Sequence, residues 1–191
     1  MTETNTIEAI DPGDHARLLR ELQAKVRAIP DFPSDGILFR DITPVLADPA
    51  TFASAVDLHL HQIRDLIGSI DAIVGMEARG FWFGPILAHR LGIGFVPARK
   101  PGKLPAPTIA EDYALEYASN TLQLHADALS KGARVLIVDD LLATGGTAAA
   151  ATALIERLGG KVVAQLFMIE LLGLGGRARQ GDVRVEAMLQ F

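Results

Sequence analysis

The segment Arg134 to Thr147, RVLIVDDLLATGGT, constrains the fold of this chain more than any other. A short apolar run, Val135 to Val138, reads as a buried strand ending in two adjacent carboxylates, Asp139 and Asp140. A loop of small residues follows, Ala143-Thr144-Gly145-Gly146-Thr147, and then an alanine-rich helical pattern from Ala148 to Leu158. With a further strand at 162–169 this makes a βαβ unit, which calls for a parallel sheet covered on both faces. The loop sets backbone N–H groups and two hydroxyls at the positive end of a helix, where a phosphate is favoured. The carboxylates beside it suit a polyhydroxylated or metal-bound group on the same ligand. A ligand with both parts is a ribose phosphate. A plain strand–turn–helix junction needs neither paired carboxylates nor hydroxyls on both sides of its glycines.

The remaining elements follow from periodicity and turn chemistry. Leu18, Leu19, Leu22 and Val26 give residues 14–28 a helical spacing, with Asp14 as the expected N-cap. Pro30, Pro33 and Gly36 force a loop through PDFPSDGILFRDITP. Its run Ile37-Leu38-Phe39 is apolar for a solvent loop, which suggests a cover. Asp48-Pro49 opens a helix to about Ile67. Strands are expected at Ile70 to Val74 and Gly94 to Ala98, with a helix from Phe81 to Leu91 between them. Residues 99–110 read as loop, and the alternation of Tyr113, Leu115, Tyr117, Leu122 and Leu124 as a hairpin or flap. A strand from Val183 to Met188 closes the chain. In such sheets ligands sit beyond the carboxyl ends of the strands, where Gly75, Ala98 and Asp139 emerge.

Composition narrows the class. At 191 residues, a single domain over 1–191 is expected, and 49% hydrophobic residues supply an ample core. A net charge of −5 argues against a general nucleic-acid partner, so any anion site is local. The absence of cysteine excludes disulfides, thiolate nucleophiles and Cys-based zinc sites, and is compatible with a reducing cytoplasm. The first residues carry acids and no apolar core of a secretion signal, and no apolar run reaches the ~18 residues of a membrane span. The chain is expected to be soluble and cytoplasmic. Two further patterns are set aside. The G-x-G-x-x-A match at Gly173 to Ala178 leaves too little chain for a dinucleotide fold. His59 and His61, two apart on a helix, point to different faces.

RVLIVDDLLATGGT is similar to the phosphoribosyl pyrophosphate (PRPP) motif of type I phosphoribosyltransferases. The resemblance implies that Asp139 and Asp140 hold the ribose hydroxyls, and that Ala143, Thr144, Gly145, Gly146 and Thr147 hold the 5-phosphate. It also implies their α/β fold: a central, mostly parallel sheet flanked by helices, a small N-terminal hood and a flexible flap. The N-terminal helix and hood would span about 14–44 and the core about 45–191.

Four more segments, in order, resemble the adenine phosphoribosyltransferases. FPSDGILFRDITP at 32–44 resembles their base-side hood, with the backbone of Leu38 and Arg40 reading the base edge and Phe39 on one base face. Leu171 matches the apolar residue on the other face. GMEARG at 75–80 resembles their diphosphate loop, with Glu77, Ala78 and Arg79, the last a bidentate partner for the leaving group. ARKPGKLP at 98–105 contributes Arg99, Lys100 and Lys103, in a stretch whose family counterpart reaches in part from a neighbouring subunit. EDYALEY at 111–117 resembles the flap, where Glu116 would manage the purine proton as a catalytic residue beside Arg79, and Tyr117 would cover the diphosphate and the reaction centre. Taken singly, these segments are ordinary charged loops and an edge hairpin.

The resemblance implies transfer of phosphoribosyl from PRPP to adenine, giving AMP and diphosphate, in purine salvage by a homodimer. Mg²⁺ is expected to be bound mainly through PRPP, with no direct protein ligands assigned. Other acceptors fit less well. Enzymes for 6-oxopurines commonly use a late lysine, and none follows Lys161; orotate would want a cation such as Arg40 near the base. A PRPP-binding regulator without catalysis would carry a basic domain ahead of the fold, and the first thirty or so residues have no basic bias.

Overall fold

The computed structural model describes residues 10–114 and 119–191. The chain forms two compact units that divide between Gln62 and Ile63.

The smaller unit begins with α1 (Pro12–Lys25). Its N-cap is Asp11, whose carboxylate accepts from Gly13 N at 2.8 Å, with Pro12 at the first helical position. The expected cap, Asp14, instead lies in the first turn and pairs with Arg17 at 3.0 Å. Nor does the helix reach residue 28. Arg27–Ile29 forms β1, which pairs antiparallel with β2 (Phe39–Asp41) inside the stretch expected to be all loop. Three-residue strands are too short for alternation to reveal them; pairing across the turn creates them. Asp41 fastens this ribbon, accepting from Arg27 Nε at 3.0 Å and from Thr43 N at 2.9 Å at the start of α2 (Thr43–Ala47). Burial would raise the Asp41 carboxyl, but hydrogen bonds from Thr43 and Arg27 hold it below its ordinary value. Asp48 caps α3 (Pro49–Gln62) through Thr51 N at 2.9 Å, as Asp48-Pro49 foretells. The helix stops at Gln62 rather than Ile67, and a 3-10 turn occupies Arg64–Leu66.

The larger unit holds β3 (Ala72–Met76), α4 (Gly84–Leu91), β4 (Gly94–Ala98), β5 (Thr108–Ala114) and β6 (Ser119–His125). It continues with β7 (Arg134–Leu142), α5 (Gly146–Arg157), β8 (Lys161–Glu170) and β9 (Val185–Gln190). Five strands form one parallel sheet in the order β4-β3-β7-β8-β9. Strands β5 and β6 pair antiparallel as a separate hairpin, the expected flap, but β5 already begins at Thr108 inside the presumed loop.

Alternation along the central strands divides the core. Val74, Met76, Val135 and Ile137 pack with Ala151, Leu154 and Ile155 of α5 and with Leu122 and Leu124 of the hairpin. Gly75, one step out of phase, meets Phe95: a Cβ there would lie 2.6 Å from the ring. From β3 the chain moves outward to β4, and from β7 it moves the other way to β8 and β9. The strand order therefore reverses between β3 and β7, and their carboxyl ends open the crevice where ligands of such sheets bind.

Candidate active site

Strand β7 runs to Leu142, so Asp139 and Asp140 lie within its last turn of pleat rather than beyond it. Adjacent residues on a strand point to opposite faces, yet here Asp140 N donates to Asp139 Oδ1 at 3.0 Å. Asp140 is buried, and its Oδ2 meets Arg79 Nε at 3.2 Å, across the switch point from the end of β3. Burial and then the neighbouring Asp140 charge push the Asp139 carboxyl well above its ordinary value. Burial also raises Asp140, against the opposing charge of Arg79. The pair resists carrying two charges without a cation or hydroxyl donors before it.

The loop after β7 winds directly into α5. Gly145 is the N-cap, in the left-handed conformation at φ 75°, and no side chain caps the helix. The first N–H groups of α5 are thus available to an anion, with the helix dipole behind them. A cavity of about 50 Å³ lies at this point, lined by Asp139, Ala143, Thr144, Gly145, Thr147 and their apolar neighbours. Gly146 opens the helix behind it. Five of the seven residues expected to meet a ribose phosphate line this cavity, and Asp140 and Gly146 adjoin them in the chain.

Between β3 and α4 the chain makes a 3-10 turn over Arg79–Trp82. Gly80 permits the loop to cross β7, since a Cβ there would lie 2.5 Å from Val138 O and 3.3 Å from Asp139 Oδ1. Glu77, Ala78 and Arg79 precede it at the mouth of the crevice, joined by a cis Glu77–Ala78 peptide. Glu77 Oε2 accepts from Lys100 N and from Arg99 Nε, each at 2.9 Å. These two bonds, the Lys100 N–H first, hold the Glu77 carboxyl below its usual range. Its carboxylate is engaged by the cation loop. Arg99 lies over the Phe81 ring at 5.6 Å, and its backbone bridges Gln123 of β6. Lys100 and Lys103 are exposed on the loop that follows β4.

Leu171 follows β8, and its N–H donates to Leu142 O at 2.9 Å, next to the 143–147 loop. On the smaller unit, Phe39 and Arg40 lie in β2, with Phe39 edge-on to Phe32 at 5.1 Å. Ile37 and Leu38 are each 47% exposed, so among the described residues neither is covered as its apolarity suggests. Glu116 and Tyr117 lie outside the described residues.

Two contributors escaped sequence reasoning. A Cβ on Gly176 would fall onto the carbonyl oxygen of Ala143, so the glycine-rich stretch set aside above allows a close approach to the 143–147 loop. Gln180, buried, reaches the carbonyl of Gly145 at 3.0 Å. Neither residue has a local signal, since each matters through a partner some thirty residues away.

The family model described as the phosphoribosyl transferase domain matches residues 44–185. An adenine phosphoribosyltransferase of Methylococcus capsulatus is 54% identical over 173 residues, covering 90% of this chain and 99% of that protein. The chain belongs to the adenine phosphoribosyltransferase family. The crystal structure of the family member from Thermoanaerobacter pseudethanolicus superposes with a TM-score of 0.86 at 48% identity, covering 91% of this chain and 99% of that one. The member from Saccharomyces cerevisiae was solved with adenine and an imino-altritol bisphosphate. It gives a TM-score of 0.87 at 41% identity, over 91% of this chain and 99% of that chain. The type I phosphoribosyltransferase fold expected from the sequence is thus the fold of this family and of this chain.

Proposed function

We propose that this chain transfers the 5-phosphoribosyl group of PRPP to adenine, releasing AMP and diphosphate, and that its two units act as one transferase domain. The observation that carries the reading is the meeting, at the β3/β7 switch point, of paired carboxylates, an uncapped helix N-terminus and Arg79. Each matches one part of PRPP: the diol, the 5-phosphate and the diphosphate.

Asp139 and Asp140 accept hydrogen bonds from the ribose hydroxyls, which offsets the cost of holding two adjacent carboxylates together. Thr144, Thr147 and the N–H groups of the loop, with Ala143, Gly145 and Gly146 shaping it, hold the 5-phosphate and fix the sugar. Arg79, drawn from Asp140, and Arg99, Lys100 and Lys103 stabilise charge on the departing diphosphate as the bond to C1 breaks. Ala78 contributes backbone there, and Glu77 orients Arg99. Adenine N9 attacks C1 through an oxocarbenium-like transition state. As the resemblance implies, Leu38 and Arg40 read the base edge by backbone, Phe39 and Leu171 each offer adenine an apolar face, Glu116 manages its proton and Tyr117 shields the centre.

Among the described residues no three acidic or histidine side chains gather to hold a metal by themselves. A magnesium ion carried on PRPP would suit the adjacent carboxylates Asp139 and Asp140, which offer hard oxygen ligands to it or to its waters. When bound, it supplies positive charge to the diphosphate. A homodimer is proposed from the resemblance of the 98–105 loop. Cytoplasmic residence agrees with the lack of cysteine and with the absence of any described helix long and apolar enough to cross a membrane.

The test is incubation with PRPP, Mg²⁺ and adenine, hypoxanthine, guanine or orotate, with the nucleotide identified by chromatography. AMP from adenine is expected, and its absence overturns the reading.

A further inference from the structure

Gln180 and Gln165 form a directional chain of amides behind the phosphate loop. Gln180 Nε2 donates to Gly145 O at 3.0 Å and to Gly176 O at 2.9 Å. Its Oε1 accepts from Gln165 Nε2 at 3.0 Å. The second hydrogen of Gln165 Nε2 goes to Thr152 Oγ1 at 3.1 Å, and that hydroxyl donates to Ala148 O at 3.0 Å. Every amide hydrogen has an acceptor, so the direction of each group fixes the next. Gln165 is fully buried and Gln180 is 7% exposed, which shields the chain from water. It runs from the first turn of α5 through β8 and the 178–180 turn, and back to the residue that caps α5.

The placement matters because of peptide geometry. Gly145 O and Gly146 N–H belong to one planar peptide and point in opposite directions. Fixing the oxygen therefore also fixes the direction of the Gly146 N–H, at the uncapped start of α5. Gly145 O also accepts the first helical bond, from Ala149 N–H at 3.0 Å, so Gln180 adds a second, lateral hold to a peptide flanked by two glycines, the first with a positive φ.

We propose that Gln180, set by Gln165, is a positioning residue for the sugar phosphate, orienting the Gly145–Gly146 peptide so that its N–H meets the 5-phosphate. The proposal rests on the phosphate-loop reading above and assigns it a residue outside the PRPP motif.

Ribose 5-phosphate, titrated calorimetrically into the full chain, is the probe. It is joined by steady-state KM values for PRPP and adenine. Gln180→Leu removes the donor, and Gln180→Glu keeps the shape but, ionised, presents no hydrogen to Gly145. Both are expected to weaken ribose 5-phosphate binding and raise the PRPP KM by about tenfold, the scale of one net hydrogen bond. The adenine KM should stay within about twofold, since no base contact is involved. Gln165→Leu frees Gln180 to rotate, and a smaller weakening of about threefold is expected. A purely structural role would lower the melting temperature while leaving ribose 5-phosphate affinity and the PRPP KM within about twofold. That result in Gln180→Leu, or in Gln165→Leu should the first fail to fold, overturns the proposal. Failure of the wild-type chain to bind ribose 5-phosphate would overturn the loop reading itself, and the proposal with it.

Discussion

Replacing Gly80 by alanine should disable the site through a single added methyl group. The added Cβ would lie 2.5 Å from the carbonyl oxygen of Val138, where ordinary contact begins near 3.4 Å. One of two backbones must then give way by roughly 0.9 Å. Val138 is fully buried in β7, a strand paired on both sides, so the 77–80 loop is the part that moves. Overpacking of this kind costs ~1–3 kcal/mol, and a chain of this size loses ~2–4 °C of melting temperature per kcal/mol. A fall of roughly 2–12 °C is therefore expected by differential scanning fluorimetry. The same displacement carries Arg79 away from its position 3.2 Å from Asp140. A shift near 1 Å at a reacting centre costs ~100-fold, so kcat/KM for PRPP should fall on that scale while the protein stays folded. Gly94→Ala is the control: nothing lies within 4 Å of its Cβ and its φ is not positive, so melting within about 2 °C of the parent is expected. If Gly80→Ala matched Gly94→Ala in both melting and turnover, the crossing of the loop over β7 would not be what aims Arg79.

Three further outcomes follow from the same geometry. Arg79→Ala should lower kcat for AMP formation by at least ~100-fold, the scale of one lost stabilising donor; near-parental turnover would remove Arg79 from the reaction. Asp139→Asn should raise the melting temperature at neutral pH and weaken PRPP binding at least ~tenfold. Because the folded Asp139 carboxyl is raised, its favourable protonated form is complete below the unfolded value of 3.8 and lost as pH climbs through the folded one. The stability gain of the Asn variant should thus grow with pH, and a variant less stable than the parent at pH 7 contradicts the raised carboxyl. Glu77→Gln should raise the PRPP KM by roughly tenfold through a loosened Arg99. Glu77 is lowered, so its stabilising charge is present above the unfolded 4.5 and fades as pH falls through the folded value. Melting curves of parent and variant should accordingly converge at acid pH.

What the sequence revealed is local chemistry with a strong period. The apolar run before Asp139-Asp140, the small-residue loop and the alanine-rich helix lie in one continuous stretch, so their order alone gives strand, anion loop and helix. Where the period was short or the signal doubled, expectation slipped. Asp11 and Asp14 both suit an N-cap, and Pro12 decides between them because proline tolerates the first helical position. Strands β1 and β2 have three residues each and exist only as a pair. The apolar Ile37 and Leu38 were expected to be covered, but both stand exposed.

The sequence by itself determined the local chemistry: paired carboxylates at Asp139 and Asp140, a small-residue loop from Ala143 to Thr147 leading into a helix, and cations at Arg79 and Arg99. The tertiary structure decided that these meet at one crevice, because β3 and β7 became neighbours where the strand order reverses. It also decided that Arg79 answers Asp140, that Glu77 is spoken for by Arg99, and that Gln180 stands behind Gly145. Hydrogen bonds and ion pairs between distant residues depend on strand order and register, and neither is written in the periodicity of any one segment.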